Sequence, residues 1–303
     1  MDRLEAMRVF VAALDQGSLA AAGRRLQRSP AAVTRAIAAL EAHVGVKLLH
    51  RTTRAITLTE AGERYAASCR RVLTDLDEAD MQAAGERTAP RGLLTVTAPL
   101  IAGARILRPI LDAFLDEQSA VQARLLLLDR VVHLVDEGID AALRIAHLPD
   151  SSQIAVKVGA VRWVVCAAPD YLSRSKSIKE PADLADHNVI VLGHLPQGDA
   201  WNFHGKDGAA KTRPVRIVSR LSVNTIDAAV GSAIEGHGIA RVLSYQVQDE
   251  LRDGRLIRLL PDFEPPPLPV HIVVPDGRLT VAKVRAFVDF AAPKLKAAFV
   301  ASG

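Results

Sequence analysis

The sequence predicts an α/β chain in three parts: a winged helix-turn-helix head, a long linking helix, and a two-lobed α/β region filling the C-terminal two-thirds. Three observations carry this. The first 45 residues hold three capped helical patterns, residues 59–86 hold one long amphipathic pattern, and from residue 93 strand-like and helix-like stretches alternate. A chain of 303 residues is long enough for two or three separate cores.

In the head, Met7, Phe10, Val11 and Leu14 recur at three- and four-residue steps, and Gly17 follows as a stop. Ser18 is placed to cap a second helix whose inner face is Leu19, Ala22, Gly23 and Leu26. The break Gln27-Arg28-Ser29 then leads into a third helix. There Ser29 is the N-cap and Pro30 takes the first position, where its missing N–H leaves no bond unmade. Val33, Ile37, Leu40 and Val44 form its inner stripe, and Gly45 ends it. Short alternating runs at Lys47-Leu48-Leu49 and Ala55-Ile56-Thr57-Leu58 read as a hairpin wing closing the head at residue 58.

Thr59 is placed to start the long helix of residues 59–86, about 40 Å of α-helix. Its apolar seam, Ala66, Cys69, Val72, Leu73, Leu76 and Ala83, lacks a partner in the three-helix head and is expected to pair with a second copy of the chain. Residues 87–92 read as a hinge. Beyond it, strands are expected at Leu94–Thr97, Ala123–Leu128, Ile139–Ile145, Trp163–Ala168, Val189–Leu192 and Ile239–Val242. Helices are expected at Ile106–Phe114, Val131–Asp136 and Val281–Phe299. Such alternation argues for parallel sheets. The 93–303 region is large for one sheet, so it divides into lobe one (93–161 and 268–303) and lobe two (162–267).

The net charge is +4, unevenly spread. Residues 1–58 carry nine Lys/Arg against four Asp/Glu, and residues 59–90 carry four against seven. A basic head beside an acidic helix suits an anionic polymer as partner. With Val33, Ile37, Leu40 and Val44 inside, the third helix turns Ala31, Thr34, Arg35 and Ala38 outward. Arg35 is suited to bidentate bonds with guanine, Thr34 to a base edge or phosphate, and the alanines to thymine methyls. Arg51 and Arg54 on the wing suit phosphates or a narrow minor groove. Spacing alone leaves a second reading open, a trihelical bundle with a solvated charged face.

Other classes find little support. No Gly-x-Ser-x-Gly, Walker-type or Gly-x-Gly-x-x-Gly pattern is present, and the nine histidines are scattered without metal-ligand spacing, so neither an enzyme nor a metal or cofactor is expected. Two distant cysteines give no disulfide framework. No apolar run approaches the roughly 20 residues that span a bilayer, and no secretory signal is recognisable, so a cytoplasmic chain without membrane contact is expected. Cys69 reads as a packed seam cysteine, with redox sensing as the alternative.

The stretches Phe10–Ala22 and Ser29–Glu41, the wing Gly45–Arg54 and the run Leu58-Thr59-Glu60-Ala61-Gly62 resemble the opening of LysR-type transcriptional regulators. Asp129-Arg130-Val131-Val132, Leu143-Arg144-Ile145 and Leu148-Pro149-Asp150-Ser151-Ser152 are similar to that family as well, so the resemblance spans nearly the whole chain. Pro30 stands where many members have Gln, which removes one adenine-reading side chain. Alanines at 36 and 38 thin the polar surface further. The resemblance implies a C-terminal domain like type II periplasmic binding proteins, with a small effector between its lobes. It also implies binding to double-stranded promoter DNA as a homodimer or homotetramer, with RNA polymerase a candidate partner. A cytoplasmic binding module or enzyme with a protein-interaction head is the competing reading.

By the same resemblance, Thr97, Pro99, Leu100, Arg144, Ile145, His194, Asn224 and Thr225 surround the effector. Ligands of open α/β sheets bind at the carboxyl ends of strands, which favours the same places. Arg144 in an otherwise apolar strand could hold a carboxylate of an anionic effector, with Ile145 and Leu100 as apolar wall. The alternative is an internal ion pair with Asp140 or Asp129. Gly236-His237-Gly238 reads as a helix stop before it reads as a ligand loop.

Overall fold

A computed structural model describes residues 2–51, 56–83, 89–148, 153–193, 200–205, 213–217 and 219–300. The head opens with α1 (Arg3–Asp15), α2 (Leu19–Arg25) and α3 (Pro30–Val44). Each cap expected in α2 and α3 is made: the Ser18 hydroxyl accepts the Ala21 N–H at 3.4 Å, and the Ser29 hydroxyl accepts that of Ala32 at 3.2 Å. Gly45 ends α3 in the left-handed region at φ 79°, where a side chain would be strained. Phe10, Ile37, Leu40 and Leu48 are fully buried and form the centre of the head. Ala36 joins them, so it is a core residue and not part of the DNA-facing surface on which the sequence placed it.

The wing is the antiparallel pair β1 (Leu49–Arg51) and β2 (Ile56–Leu58). Next comes α4 (Glu60–Ala83), whose start is tied to the wing. Thr59 donates its hydroxyl to the Lys47 carbonyl at 2.8 Å, and that same oxygen accepts the Gly62 N–H at 2.9 Å. A Cβ at position 62 would run into the Leu48 carbonyl oxygen, so glycine is what lets α4 lie this close to the wing.

The seam of α4 departs from expectation. Ala66 and Cys69 are each 1% exposed and belong to the head core, and Leu73 packs against the same cluster. Tyr65 leans on Phe10 with ring centroids 6.2 Å apart, while Arg8–Asp77 (3.0 Å) and Arg70–Asp15 (2.6 Å) fix α4 antiparallel along α1. The first half of the seam therefore does have a partner in the head, because the three helices leave one flank of α1 open and α4 closes it.

The rest of the chain forms two five-stranded sheets. The first unites β3 (Gly92–Ala98), β4 (Val121–Leu127), β5 (Ala141–Ile145), β6 (Ile154–Val161) and a late strand, β14 (Leu268–Val274), in the order β4-β3-β5-β14-β6. The second unites β7 (Trp163–Ala167), β8 (Val189–Leu192), β11 (Ser219–Val223), β12 (Ile239–Leu243) and β13 (Ile257–Leu259), in the order β11-β8-β12-β7-β13. A side hairpin of β9 (Ala200–Phe203) and β10 (Arg213–Arg216) lies against the second sheet. Both sheets are mixed, whereas parallel sheets were expected. β14 runs antiparallel to β5 and β6, and β7 antiparallel to β12 and β13. The chain crosses between sheets twice, and each crossing delivers a strand in the reverse direction.

Covering these sheets are α5 (Leu100–Ala102), continuing through a π-turn at Gly103–Leu107 into α6 (Arg108–Glu117), then α7 (Pro169–Ser173), α8 (Ile226–Ile234), α9 (Gln248–Arg252) and α10 (Ala282–Val300). Phe114, Phe287 and Phe299 anchor α6 and α10 in the first core. The helix expected at Val131–Asp136 is absent. Residues 131–133 are irregular and a turn follows from 134, with Val132 and Leu134 buried while Val131 and Val135 are 81% and 69% exposed. The Glu137 carboxylate binds Arg130 (2.9 and 2.7 Å) and accepts the His133 N–H at 3.3 Å, while the Glu137 N–H makes a single helix-like bond to the His133 carbonyl at 3.0 Å.

Candidate functional site

On the outer face of α3, Ala31, Arg35 and Ala38 are exposed and Thr34 is half-buried. Arg35 makes no ion pair among the described residues. The Thr34 hydroxyl donates to the Pro30 carbonyl at 3.0 Å, so toward an outside group it is left as an acceptor. Ser29 is the mirror case, since its oxygen accepts a backbone N–H and its proton remains free to donate. The wing position Arg54 and the side chain of Arg51 lie outside the described residues.

Behind this face sits Glu41, whose role is not evident from its place in the sequence. Glu41 is 4% exposed and accepts the N–H groups of Leu48 (3.0 Å) and Leu49 (3.3 Å), with Lys47 Nζ at 2.8 Å. Burial alone would raise its pKa. The hydrogen bonds from Lys47, Leu48 and Leu49 outweigh that and hold the carboxyl below its ordinary value. An acid in the last turn of a helix opposes the macrodipole, and that was the available signal that dedicated donors were waiting for it.

The two sheets meet where their strands end. Ile226 and Leu243 pack on the core of the first sheet, and Tyr245 sets its ring edge-on to Phe299 at 6.2 Å. Arg105, in the π-turn, stands 3.7 Å from Asp227 at the start of α8. Burial pushes the Tyr245 phenol up to about 12, with Asp129 adding to the rise. None of Arg105, Asp227 and Tyr245 was picked out from the sequence, because nothing local distinguishes them.

The predicted effector residues divide around this junction. Asn224 and Thr225 are exposed, and the Thr225 hydroxyl caps α8 by accepting the Ala228 N–H at 3.4 Å. Leu100 is 44% exposed, and its N–H is taken by Asp129 at 3.0 Å, so an anion at this point would meet a carboxylate. Pro99 is half-buried. Thr97 is 2% exposed and donates its hydroxyl to the Leu126 carbonyl at 2.8 Å, inside the sheet. His194 lies outside the described residues.

Arg144 and Ile145 are not brought together. Successive strand residues point to opposite faces. Ile145 packs on the first core, while Arg144 turns to the other face and donates to the Val132 carbonyl at 2.9 Å. Arg144 therefore makes neither ion pair foreseen for it. The Asp129 carboxylate caps Leu100, and that of Asp140 accepts the Thr95 N–H at 2.8 Å and faces Arg278 at 3.8 Å. Burial lowers the Arg144 pKa, and the nearby Glu137 charge offsets this only in part. Its strand neighbour across the pair is His271, also half-buried, whose pKa is lowered by burial and by Lys157 and His147.

Both cysteines are buried and free. Burial pushes Cys69 up to about 11 and Cys166 up to about 12, so neither forms the reactive thiolate at neutral pH.

Comparison with known proteins bears on both halves of the chain. Residues 4–63 match the bacterial regulatory helix-turn-helix protein, lysR family, and residues 87–296 match the LysR substrate binding domain. An HTH-type transcriptional regulator of Xanthomonas campestris pv. campestris is 32% identical over 289 residues, covering 95% of this chain and 84% of its own. The HTH-type transcriptional activator AaeR of Escherichia coli is 30% identical over 291 residues, covering 95% and 93%. Among solved structures, CrgA, a LysR-type transcriptional regulator from Neisseria meningitidis, aligns with a TM-score of 0.61 at 26% identity, covering 96% of this chain and 98% of its own. The full-length Vibrio cholerae virulence activator AphB aligns with a TM-score of 0.60 at 26% identity, covering 96% and 98%. With a capped helix-turn-helix and wing at one end and two mixed sheets at the other, the chain belongs to the LysR family of transcriptional regulators.

Proposed function

We propose that this regulator reads promoter DNA with the outer face of α3 and answers to a small effector held where the two sheets meet. The observation that carries the first half is the face itself: small residues at 31 and 38 flank an Arg35 that has no ion-pair partner among the described residues. An α-helix so faced fits the major groove, with Arg35 donating to guanine, Thr34 accepting from a base amino group, and Ser29 donating to phosphate at the helix start. Arg51 and Arg54 of the wing serve the backbone. The effector half rests on the Arg105–Asp227 contact, which links the π-turn following Leu100 to the start of α8, next in sequence to Asn224 and Thr225. The chain works in the cytoplasm as a homodimer or homotetramer, is a regulator and not an enzyme, and has RNA polymerase as a further partner.

Arg35→Ala should weaken specific operator binding by about 1–3 kcal/mol and relax one base position. Arg51→Ala should weaken binding to all sequences alike and make the salt dependence shallower, because it removes a phosphate contact. Gel-shift titrations with the chain's own upstream DNA at several salt concentrations read both effects. Equal losses with equal salt slopes would contradict this division of roles.

A further inference from the structure

Among the buried charges of the described residues, Arg241 contrasts with Glu41, Asp140 and Glu250. Glu41, Asp140 and Glu250 each have an opposite charge close by: Lys47 at 2.8 Å, Arg278 at 3.8 Å and Arg255 at 3.2 Å. Arg241 is 7% exposed and has no carboxylate partner among the described residues. Its guanidinium lies over three aromatic rings, Trp163 at 5.3 Å, Phe203 at 5.4 Å and Trp201 at 5.8 Å. One nitrogen, Nη2, donates to the Asn202 carbonyl at 3.1 Å; the other, Nη1, is buried and makes no hydrogen bond. Burial brings its pKa down to about 10. Buried charges are ordinarily paired, and a lone buried cation weakens the fold that holds it.

The position of this cage gives the unpaired cation a use. Arg241 pairs across the sheet with Val165, and the next pair on the same face is Leu243 with Trp163, at the end of β12 where the two sheets meet. Trp163, half-buried, is the cage ring paired with Leu243 at that end, so turning it aside would uncover the guanidinium toward the junction of the sheets. A flat carboxylate entering there would supply both the acceptor and the negative charge that the described residues do not, while its ring would stack against the indoles. A phosphate would have to leave its hydration shell for apolar walls.

We propose that Arg241 is the specificity-determining residue of the effector cleft and that the ligand class it selects is the aromatic carboxylates. This rests on the cleft reading given above. It moves the anionic anchor from Arg144, whose guanidinium is engaged with Val132 on the other sheet, to the aromatic cage of the second.

The two tryptophans of the cage are the only two in the chain, so intrinsic fluorescence reports on this place alone. The test titrates the full-length protein with benzoate, salicylate and cinnamate, and with benzamide as neutral control, for wild type, Arg241→Met and Arg241→Lys. Wild type should show a saturable fluorescence change with at least one carboxylate and none with benzamide. Arg241→Met should bind about tenfold or more weakly, with Arg241→Lys between them. Without ligand, Arg241→Met should melt no lower than wild type, because it keeps the packing and removes an unpaired charge. A lower melting temperature would make Arg241 a packing anchor and overturn the proposal. So would equal carboxylate binding by both proteins, benzamide binding as well as benzoate, or no response of wild type to any of the three acids. If carboxylates bind through Arg241 but leave the operator footprint unchanged, the site stands and the cleft reading fails.

Discussion

Replacing Glu41 by alanine should destabilise the head by about 2–4 kcal/mol, because two buried backbone N–H groups lose their acceptor. The carboxylate joins the last turn of α3 to Leu48 and Leu49 at the base of the wing, and the wing in turn holds the start of α4 through Thr59. Lys47 adds little, since its side chain is 77% exposed and screened by water. In a unit of about 60 residues, whose whole stability is on the order of 3–9 kcal/mol, a loss of this size is severe. Glu41→Gln keeps an acceptor for both N–H groups and should cost about 1 kcal/mol or less. The native carboxyl pKa lies below the unfolded one, so its stabilisation is complete above the unfolded value near 4.5 and fades as pH falls through the folded value. Thermal melts of the head signal at neutral pH and below pH 4.5 check both parts. If Glu41→Ala and Glu41→Gln melt alike, the backbone bonds are not what holds the wing.

The head was legible because its signals are local. Caps at Ser18 and Ser29, Pro30 at the first helical position and Gly45 at the end each act within a few residues, and α2 and α3 run between them. What escaped was long-range. Glu41 finds its donors seven and eight residues away, and Arg241 finds its indoles 78 and 40 residues away in the sequence. The strand Val189–Leu192 was read with its bounds because an apolar run fully buried on both faces announces itself. β6 was missed because its small and charged residues alternate weakly along the edge of the first sheet, where Ala155 and Lys157 face outward. At 131–136 the apolar residues suggest a helix, but in the connection from β4 to β5 the Glu137 carboxylate binds Arg130 and the His133 N–H and holds the chain in turns. Arg144 drew attention as a charge in an apolar strand; which face it took could not be read without the sheet.

Dimer loss should produce the larger effect on DNA binding, and the seam of α4 now shows where to cause it. Cys69 and Ala66 are spent on the head core, so Cys69→Asp should bury a charge there and unfold the head. Val72 is 41% exposed and Leu76 half-buried; both lie between the Arg70 and Asp77 contacts to α1 but outside the head core. These are the residues left to meet a second copy, while Leu73 is shared between the head and that surface. Val72→Asp and Leu76→Asp should therefore give folded monomers, with helix content and head melting close to wild type. Two heads joined through α4 bind paired half-sites with an effective concentration in the millimolar range. Separating them should lower operator affinity by about 10²–10⁴-fold while each head's binding to random DNA stays near its wild-type level. Sedimentation together with gel-shift titration distinguishes the cases. Intact oligomers for both aspartate variants would remove α4 from the interface. Unfolded heads would mean that Val72 and Leu76 belong to the same core as Cys69.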